Sequence, residues 1–303
     1  MAHIELHSPA KINLFLDVFG KRSDGYHDII TIFEKIDLCD TIRLEGLLSN
    51  EIRITSGNKE LPLDETNLAY KAALILKDTY NISEGVGIHI DKKIPIAAGL
   101  GGGSSNAATA LKGLNKLWNL GLGNNTLAGI GNKLGADVPF FIFNYPFAVG
   151  VGKGDEISPI KSTLEMWHLI ISPPVKVLAK DVYKETSLNL TEYRPDVRIM
   201  VHAIRKGDLG SIKNGLHNAL EPIVNKKVAD ISKVKDFVKK MGFNAVNVTG
   251  SGPTIFVLTN DRKEAERLEK KVREYFEEKA NNGWGIFVAK TAIDSFDCAQ
   301  SQP

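Results

Sequence analysis

Between Pro95 and Ser105 the chain runs Pro95-Ile96-Ala97-Ala98-Gly99-Leu100-Gly101-Gly102-Gly103-Ser104-Ser105, with glycine at four of the five positions 99–103 and two hydroxyls directly behind them. Glycine reaches positive φ without a Cβ penalty and lets backbone N–H groups approach a ligand closely. The small and apolar residues that follow, Asn106-Ala107-Ala108-Thr109-Ala110-Leu111, read as a helix. The loop therefore feeds a helix N-terminus, where the first N–H groups lack partners and the dipole is positive. Phosphate suits such a place. Taken alone, the loop is also compatible with a flexible turn ahead of an ordinary helix.

Two familiar phosphate motifs are excluded. A Walker loop ends in Gly-Lys-Ser/Thr, and no lysine follows these glycines. The dinucleotide fingerprint G-x-G-x-x-G, counted from Gly99 or Gly101, puts Ser104 or Asn106 where the third glycine belongs. The protein-kinase signature with its H-R-D catalytic loop is missing too.

The elements that must position the loop can be followed along the chain. Ile12, Leu14, Leu16 and Val18 alternate with Lys11, Asn13, Phe15 and Asp17, which predicts a half-buried strand carrying Lys11 and Asn13 on one face. A polar turn, Lys21 to Gly25, leads through Tyr26-His27 into a second strand over 28–38, with further strands expected near 41–45 and 51–55. Helical spacing covers 66–80, and a strand at 87–91 enters the glycine loop. Ser104 or Ser105 is expected to cap the next helix. A short helix over 125–134 precedes Gly135-Ala136-Asp137-Val138-Pro139. After about residue 160 the pattern restarts: a strand over 168–172 stopped by Pro173-Pro174, helices near 196–206, 208–219 and 228–241, strands at 245–248 and 254–258 around Thr249-Gly250-Ser251-Gly252-Pro253, a charged helix over 263–279 and a strand over 285–290. This is an α+β layout. The charge run from Asp261 reads as a solvated helix face.

Composition narrows the function classes. The 303 residues are 43% hydrophobic and 24% charged, with a formal net charge of +2 spread over the chain. No basic stripe for nucleic acid is apparent. Two cysteines, Cys39 and Cys298, are too few for a disulfide framework or a zinc site and fit a reducing compartment. The seven histidines lack ligand spacing, so no protein-held metal is expected. No stretch reaches the ~20 apolar residues of a membrane span, and the first residues lack a secretory pattern. The expectation is a cytoplasmic protein, monomer or homodimer, without nucleic-acid or membrane partners.

Four separated motifs agree: Ser8-Pro9-Ala10-Lys11-Ile12-Asn13-Leu14, Asp24-Gly25-Tyr26-His27, the glycine loop, and Leu134-Gly135-Ala136-Asp137-Val138-Pro139. With Gly250-Ser251-Gly252-Pro253 they resemble the GHMP kinase superfamily over about residues 8–290, and within it the branch whose alcohol substrate carries a cytidine diphosphate. The resemblance implies a two-domain α+β fold with the active site in the interdomain cleft. A nucleotide-binding domain would span 1–160 and a substrate-binding domain 161–303, the last strand being free to return to the first. The implied reaction moves the γ-phosphoryl of ATP to the 2-hydroxyl of a methylerythritol unit, a step of non-mevalonate isoprenoid synthesis.

By the same resemblance, residues 95–105 would wrap the ATP phosphates, with Mg²⁺ arriving on the nucleotide. Asp137 matches the catalytic aspartate that accepts or orients the hydroxyl proton. Lys11 matches the lysine that keeps Asp137 ionised and stabilises charge on the attacking oxygen. Asn13, Tyr26 and His27 would bind the cytidylyl end, with Tyr183 as a second stacking aromatic. The rival readings are a homoserine- or mevalonate-type kinase and a nucleotide sensor without turnover.

Overall fold

β1 (His3–Lys21) and β2 (His27–Leu47) form one long antiparallel ladder, and the first sheet is built around it. A computed structural model of the chain describes residues 3–186, 195–278 and 283–293. Cys298, the last residue of the expected 263–279 helix and the terminal residues beyond 293 lie outside them. Following β2 come β3 (Ile52–Thr55), α1 (Leu68–Tyr80), β4 (Gly85–Asp91), α2 (Gly102–Leu117), α3 (Asn124–Asn132), α4 (Val138–Phe143), β5 (Phe147–Gly152) and β6 (Glu156–Pro159). The second half adds β7 (Trp167–Ser172), α5 (Ala179–Lys184), α6 (Val197–Lys206), α7 (Leu209–Gly215), β8 (His217–Asn218), α8 (Glu221–Lys227), α9 (Asp230–Lys240), β9 (Val246–Val248), β10 (Ile255–Thr259), α10 (Arg262–Glu278) and β11 (Gly285–Lys290). The α+β expectation holds.

Among the described residues there are two sheets. The first has the order β3-β4-β2-β1-β8, with β5 pairing β2 and carrying β6 beyond it. The second has the order β11-β7-β10-β9, every pair antiparallel. Chain halves and sheets do not coincide: β8 comes from the second half yet pairs parallel with Phe15 and Leu16 of β1. The last strand belongs to the second sheet, and just beyond it Thr291 bridges back to Ile36.

From Ser8 to Val18, β1 is buried on both faces, which corrects the half-buried strand read from its alternation. Lys11, Asn13, Phe15 and Asp17 are as enclosed as Ile12, Leu14, Leu16 and Val18. One core joins Phe33, Ile42 and Leu44 of β2 to α1, α2, α3 and α4. A second joins Ile12, Leu14 and Ile36 to Ile170, Met200, Ile204 and Phe256. A third seats Leu16, Val18 and Ile29 against the helices and second sheet of the C-terminal half. Each enclosed Ile, Leu or Phe contributes about 1.5–3 kcal/mol relative to exposure. The strands expected at 28–38 and 41–45 are a single strand, because its irregular register absorbs the polar residues between them.

The glycine loop's helix begins at Gly102, with Gly101 as its N-cap at φ +71°. Ser104 and Ser105 therefore sit in the first turn, not at the cap. The expected 208–219 helix ends at Gly215, because Leu216 turns the chain into β8, and α8 was not anticipated. Gly113 marks where α2 lies closest to the sheet: a Cβ there would overlap Leu44 and lie 2.7 Å from Leu6 Cδ1. Gly113→Val should therefore lower the unfolding free energy by about 1–3 kcal/mol, as overpacked cores do, measured by urea titration with an unchanged m-value.

Candidate active site

Lys11 is only 4% exposed, and four contacts account for it. Its N–H donates to Leu100 O at 3.0 Å, which ties β1 to the glycine loop. Its Nζ donates to Asn13 Oδ1 at 2.7 Å, lies 3.6 Å from Asp137 Oδ2, and stands 5.5 Å from the centre of the Phe33 ring. Lys11 and Asn13 share one face by the ordinary alternation of the strand, and the bulge that follows, between Asn13 and Phe15, leaves Leu14 and Phe15 both buried. Asp137 occupies the N-cap position of α4 but makes no capping hydrogen bond. Its carboxylate is free to face Lys11 and remains about one-third exposed.

The loop between β4 and α2 is held by its carbonyls. Those of Ala97, Ala98, Leu100 and Gly101 accept from Val177, Thr254, Lys11 and Ser105. The N–H groups of Gly99, Leu100 and Gly101 donate to nothing among the described residues. Gly99 and Gly101 have φ of +79° and +71°, so the loop needs the left-handed region at both. A Cβ on Gly99 would overlap the Thr249 carbonyl, and one on Gly101 would press on Lys11 Cγ and Phe141 at 3.0 Å. Carbonyls turned into the protein and free N–H groups ahead of a helix make an anion-binding concavity.

A buried network anchors this loop at both ends. Asp40 is fully enclosed and accepts from the N–H groups of Lys93 and Ile94 at 2.8 Å, from Lys92 Nζ at 2.8 Å and from Asn106 Nδ2 at 2.9 Å. Asn106 also donates to Ser8, whose hydroxyl donates to Ser105 at 2.8 Å. Burial pushes the Lys92 ammonium below its ordinary value, against the pull of Asp40. Ser105, expected on the nucleotide, instead points into this network and is fully buried.

The turn before β2 fits the spacing of Asp24-Gly25-Tyr26-His27. Asp24 accepts from Tyr26 N–H at 3.0 Å, and Gly25 takes φ +86° in open space. Tyr26 is half-exposed with Lys153 Nζ 5.0 Å from its ring centre. His27 is buried, its Nδ1 has no hydrogen-bond partner among the described residues, and its ring stacks on Tyr183 at 5.5 Å between centroids and 28° between planes. Burial, and secondarily the charge of Lys21, holds the His27 imidazole below its ordinary value. The Tyr183 hydroxyl is pushed up by burial and then by the nearby charge of Asp137.

Residues from both halves of the chain line a cavity of about 740 Å³. Lys11, Asn13, Tyr26, His27, Ala97, Gly99, Gly101, Ser104, Asp137 and Tyr183 border it. Pro95, Ile96, Ala98, Leu100, Gly102, Gly103 and Ser105 do not. Asn13, expected at the cytidylyl end, lies beside Lys11 instead. Its Oδ1 is taken by Lys11 and its Nδ2 donates to Thr31 at 2.7 Å. Five lysines (Lys11, Lys21, Lys153, Lys180, Lys184) against two aspartates (Asp24, Asp137) border the cavity, a balance suited to a polyanion. Lys153 was missed in the sequence, although its setting Gly152-Lys153-Gly154, both glycines at positive φ, signals a tight turn. Asp40, Lys92 and Thr249 carried no such signal.

The description "GHMP kinases N terminal domain" matches residues 67–145, and "GHMP kinases C terminal" matches residues 200–278. A 4-diphosphocytidyl-2-C-methyl-D-erythritol kinase of Bacillus cytotoxicus is 42% identical over 89% of this chain and 93% of its own length. One from Geobacillus kaustophilus is 43% identical over the same shares. The chain belongs to the 4-diphosphocytidyl-2-C-methyl-D-erythritol kinase family of GHMP kinases. A solved 4-(cytidine 5'-diphospho)-2C-methyl-D-erythritol kinase superposes with a TM-score of 0.77 at 27% identity, covering 95% of this chain and 99% of that one. A homoserine kinase from Cytophaga hutchinsonii, with a TM-score of 0.72 at 21% identity over 96% and 95% of the two chains, shares the fold. Within this family the α+β two-part architecture is the kinase fold expected from the motifs. Among the described residues, no helix is long and apolar enough to cross a membrane.

His27 gives a direct check of the cavity's interior. A histidine held neutral by burial binds its proton more weakly than in the unfolded chain. Its contribution to stability is complete above the ordinary value of 6.5 and is lost as pH falls below it. The His27 ring signal should titrate below pH 6.5 in an NMR series, and Tyr183→Ala, which uncovers the ring, should move the midpoint back toward 6.5. A midpoint unmoved by that substitution contradicts the stacked arrangement.

Proposed function

We propose that this chain transfers the γ-phosphoryl group of ATP to the 2-hydroxyl of 4-diphosphocytidyl-2-C-methyl-D-erythritol, giving the 2-phosphate and ADP. The observation that carries the reading is the Lys11–Asp137 pair, 3.6 Å apart at the floor of a cavity with free loop N–H groups at one side and the His27–Tyr183 stack at another. The loop would hold the phosphates through its N–H groups that lack a partner among the described residues. Phosphoryl transfer has a loose transition state, so fixed donors and charge placed where it develops do most of the work.

Asp137, facing the cavity with no capping duty, would accept or orient the hydroxyl proton. Lys11 would offset the charge gathering on the attacking oxygen, and its enclosure strengthens that interaction by excluding water. His27 has a buried, unpaired Nδ1 and a donor or acceptor at Nε2 as the tautomer requires, a match to the amino and ring-nitrogen edge of cytosine. Tyr26 and Tyr183 supply the flanking aromatic surfaces, and Tyr183 stands close enough to Asp137 to feel its charge.

Mg²⁺ belongs to this proposal as a passenger on the nucleotide. Among the described residues no group of three or more His, Cys, Asp and Glu side chains is placed to hold a metal. Asp137 offers one carboxylate near the loop, which suits an ion bound mainly by phosphate oxygens and water. When bound, it would neutralise phosphate charge.

The test is ADP release with Mg-ATP and three separate acceptors: 4-diphosphocytidyl-2-C-methyl-D-erythritol, mevalonate and homoserine. Turnover with the cytidylyl acceptor alone is expected. Turnover only with another acceptor overturns the substrate, and ATP binding without turnover points to a sensor. Asp137→Asn should cut kcat by about 10²–10⁴, the range for general acid–base groups, with the ATP dissociation constant nearly unchanged in calorimetry. His27→Ala should raise KM for the cytidylyl acceptor about tenfold or more while KM for ATP stays put. Equal effects on both substrates would place His27 at the wrong end.

A further inference from the structure

Thr249 is fully buried in the turn between β9 and β10, yet its side chain reaches across to β1. Its Oγ1 accepts from the Asn13 N–H at 2.9 Å and donates to Oδ1 of the same residue at 3.3 Å. A hydroxyl that touches both the main chain and the side-chain oxygen of one asparagine restricts that side chain's torsions. The other end of the amide is held independently. Asn13 Nδ2 donates to Thr31 Oγ1 at 2.7 Å, and the Thr31 hydroxyl spends its own proton on Phe15 O at 2.7 Å. The two ends of an amide have opposite hydrogen-bond sense. These contacts therefore select one orientation, with Oδ1 toward Lys11 Nζ.

The turn itself does not need the hydroxyl. Thr249 N–H donates to Thr254 O at 3.0 Å, and Thr249 O accepts from Gly252 N–H at 2.9 Å. Asn218 Nδ2 donates to the carbonyls of Val248 at 2.7 Å and Gly250 at 2.9 Å, clamping the turn from β8. With the backbone secured, the side-chain oxygen is left to act on Asn13.

We propose that Thr249 is a positioning residue for phosphoryl transfer, acting through Asn13 to hold the Lys11 ammonium against Asp137 and the reacting oxygen. The proposal rests on the assignment of Lys11 to charge stabilisation. It gives the second half of the chain a part in the chemistry without contact to either reactant. It also links the lysine to the seating of the glycine loop, because Gly99 packs on the Thr249 carbonyl so closely that no Cβ fits between them.

Thr249→Val keeps the volume and deletes the hydroxyl, whereas Thr249→Ser keeps the hydroxyl. With Mg-ATP and the cytidylyl acceptor, the valine variant should lose about tenfold or more in kcat with both KM values within about twofold, since misplacement of a catalytic group acts on the transition state. The serine variant should recover most of that loss. In substrate-free protein, ¹⁵N-lysine NMR should show the Lys11 Nζ signal, assigned by its disappearance in Lys11→Arg, displaced by valine and returned by serine. An unmoved Lys11 signal in the valine variant, equal kcat losses for valine and serine, or a loss confined to KM each overturns the proposal. If the valine variant fails to fold, Thr249→Ala carries the same comparison. The NMR readout needs no acceptor. A wild-type enzyme inactive on every acceptor would therefore sink the kinase reading while Thr249 is still judged on Lys11.

Discussion

A carboxylate with no exposure to water must be paid back in hydrogen bonds, and Asp40 is where this fold meets that demand. Its two oxygens take two backbone N–H groups, an ammonium and an amide. Removing one partner of such a buried pair leaves an uncompensated charge, which costs far more than the pair itself contributes. The arrangement is consequently all-or-none. The donors come from the residues just before the glycine loop and from the helix just after it, so satisfying Asp40 also fixes the separation of the loop's two ends. Ser8 and Ser105 extend the same network to β1. A loop rich in glycine, which by itself would be mobile, is given one shape by polar groups that do not border the cavity.

The same economy of roles recurs at Lys11. An enclosed lysine survives charged only with partners, and here they are an amide oxygen, a carboxylate and an aromatic face. Each comes from a different part of the chain: Asn13 from β1 itself, Asp137 from the start of α4, Phe33 from β2. Ordinary alternation puts Lys11 and Asn13 on one face of β1, and the regular register sets Phe33 of β2 opposite Asn13. Lys11 thus sits on a regular stretch of the β1–β2 ladder, between two register shifts.

How much of this was legible in the chain differs by kind of residue. The glycine loop was readable because glycine reports backbone conformation, and Gly99 and Gly101 do take positive φ. The Asp24-Gly25-Tyr26-His27 turn was readable for the same reason. The alternation of β1 gave the strand but not its double burial, since periodicity cannot tell solvent from a second layer when polar residues are themselves buried. Lys11, Asn13 and Asp17 look like a wet face and are not. Ser105 looks like a phosphate ligand because it follows the glycines. The helix starts earlier, however, and its rotation turns the hydroxyl inward. Asp40 and Thr249 were invisible because each depends on partners far along the chain: Asp40 meets Lys92 to Ile94 and Asn106, and Thr249 meets Asn13.

The charge around the cavity shows why the site and its ligands must be considered together. Five lysines face two aspartates across a shared space, and Lys153 has an additional partner in Asp155 at 3.4 Å. Like charges gathered in a concave surface repel, and water screens them less where the walls are protein. Any phosphate entering relieves that repulsion, so binding and stability are coupled through mass action on the folded state. The relief is not uniform. Lys11 is enclosed and already neutralised by Asp137, so it gains least from a distant phosphate and most from charge that develops beside it. Lys21, Lys180 and Lys184 are exposed and respond to a ligand's resting charge. On the proposed reaction, the cavity would separate attraction from chemistry: the outer lysines would collect anions, while Lys11 and Asp137 would answer to the charge that appears only as the phosphoryl group moves.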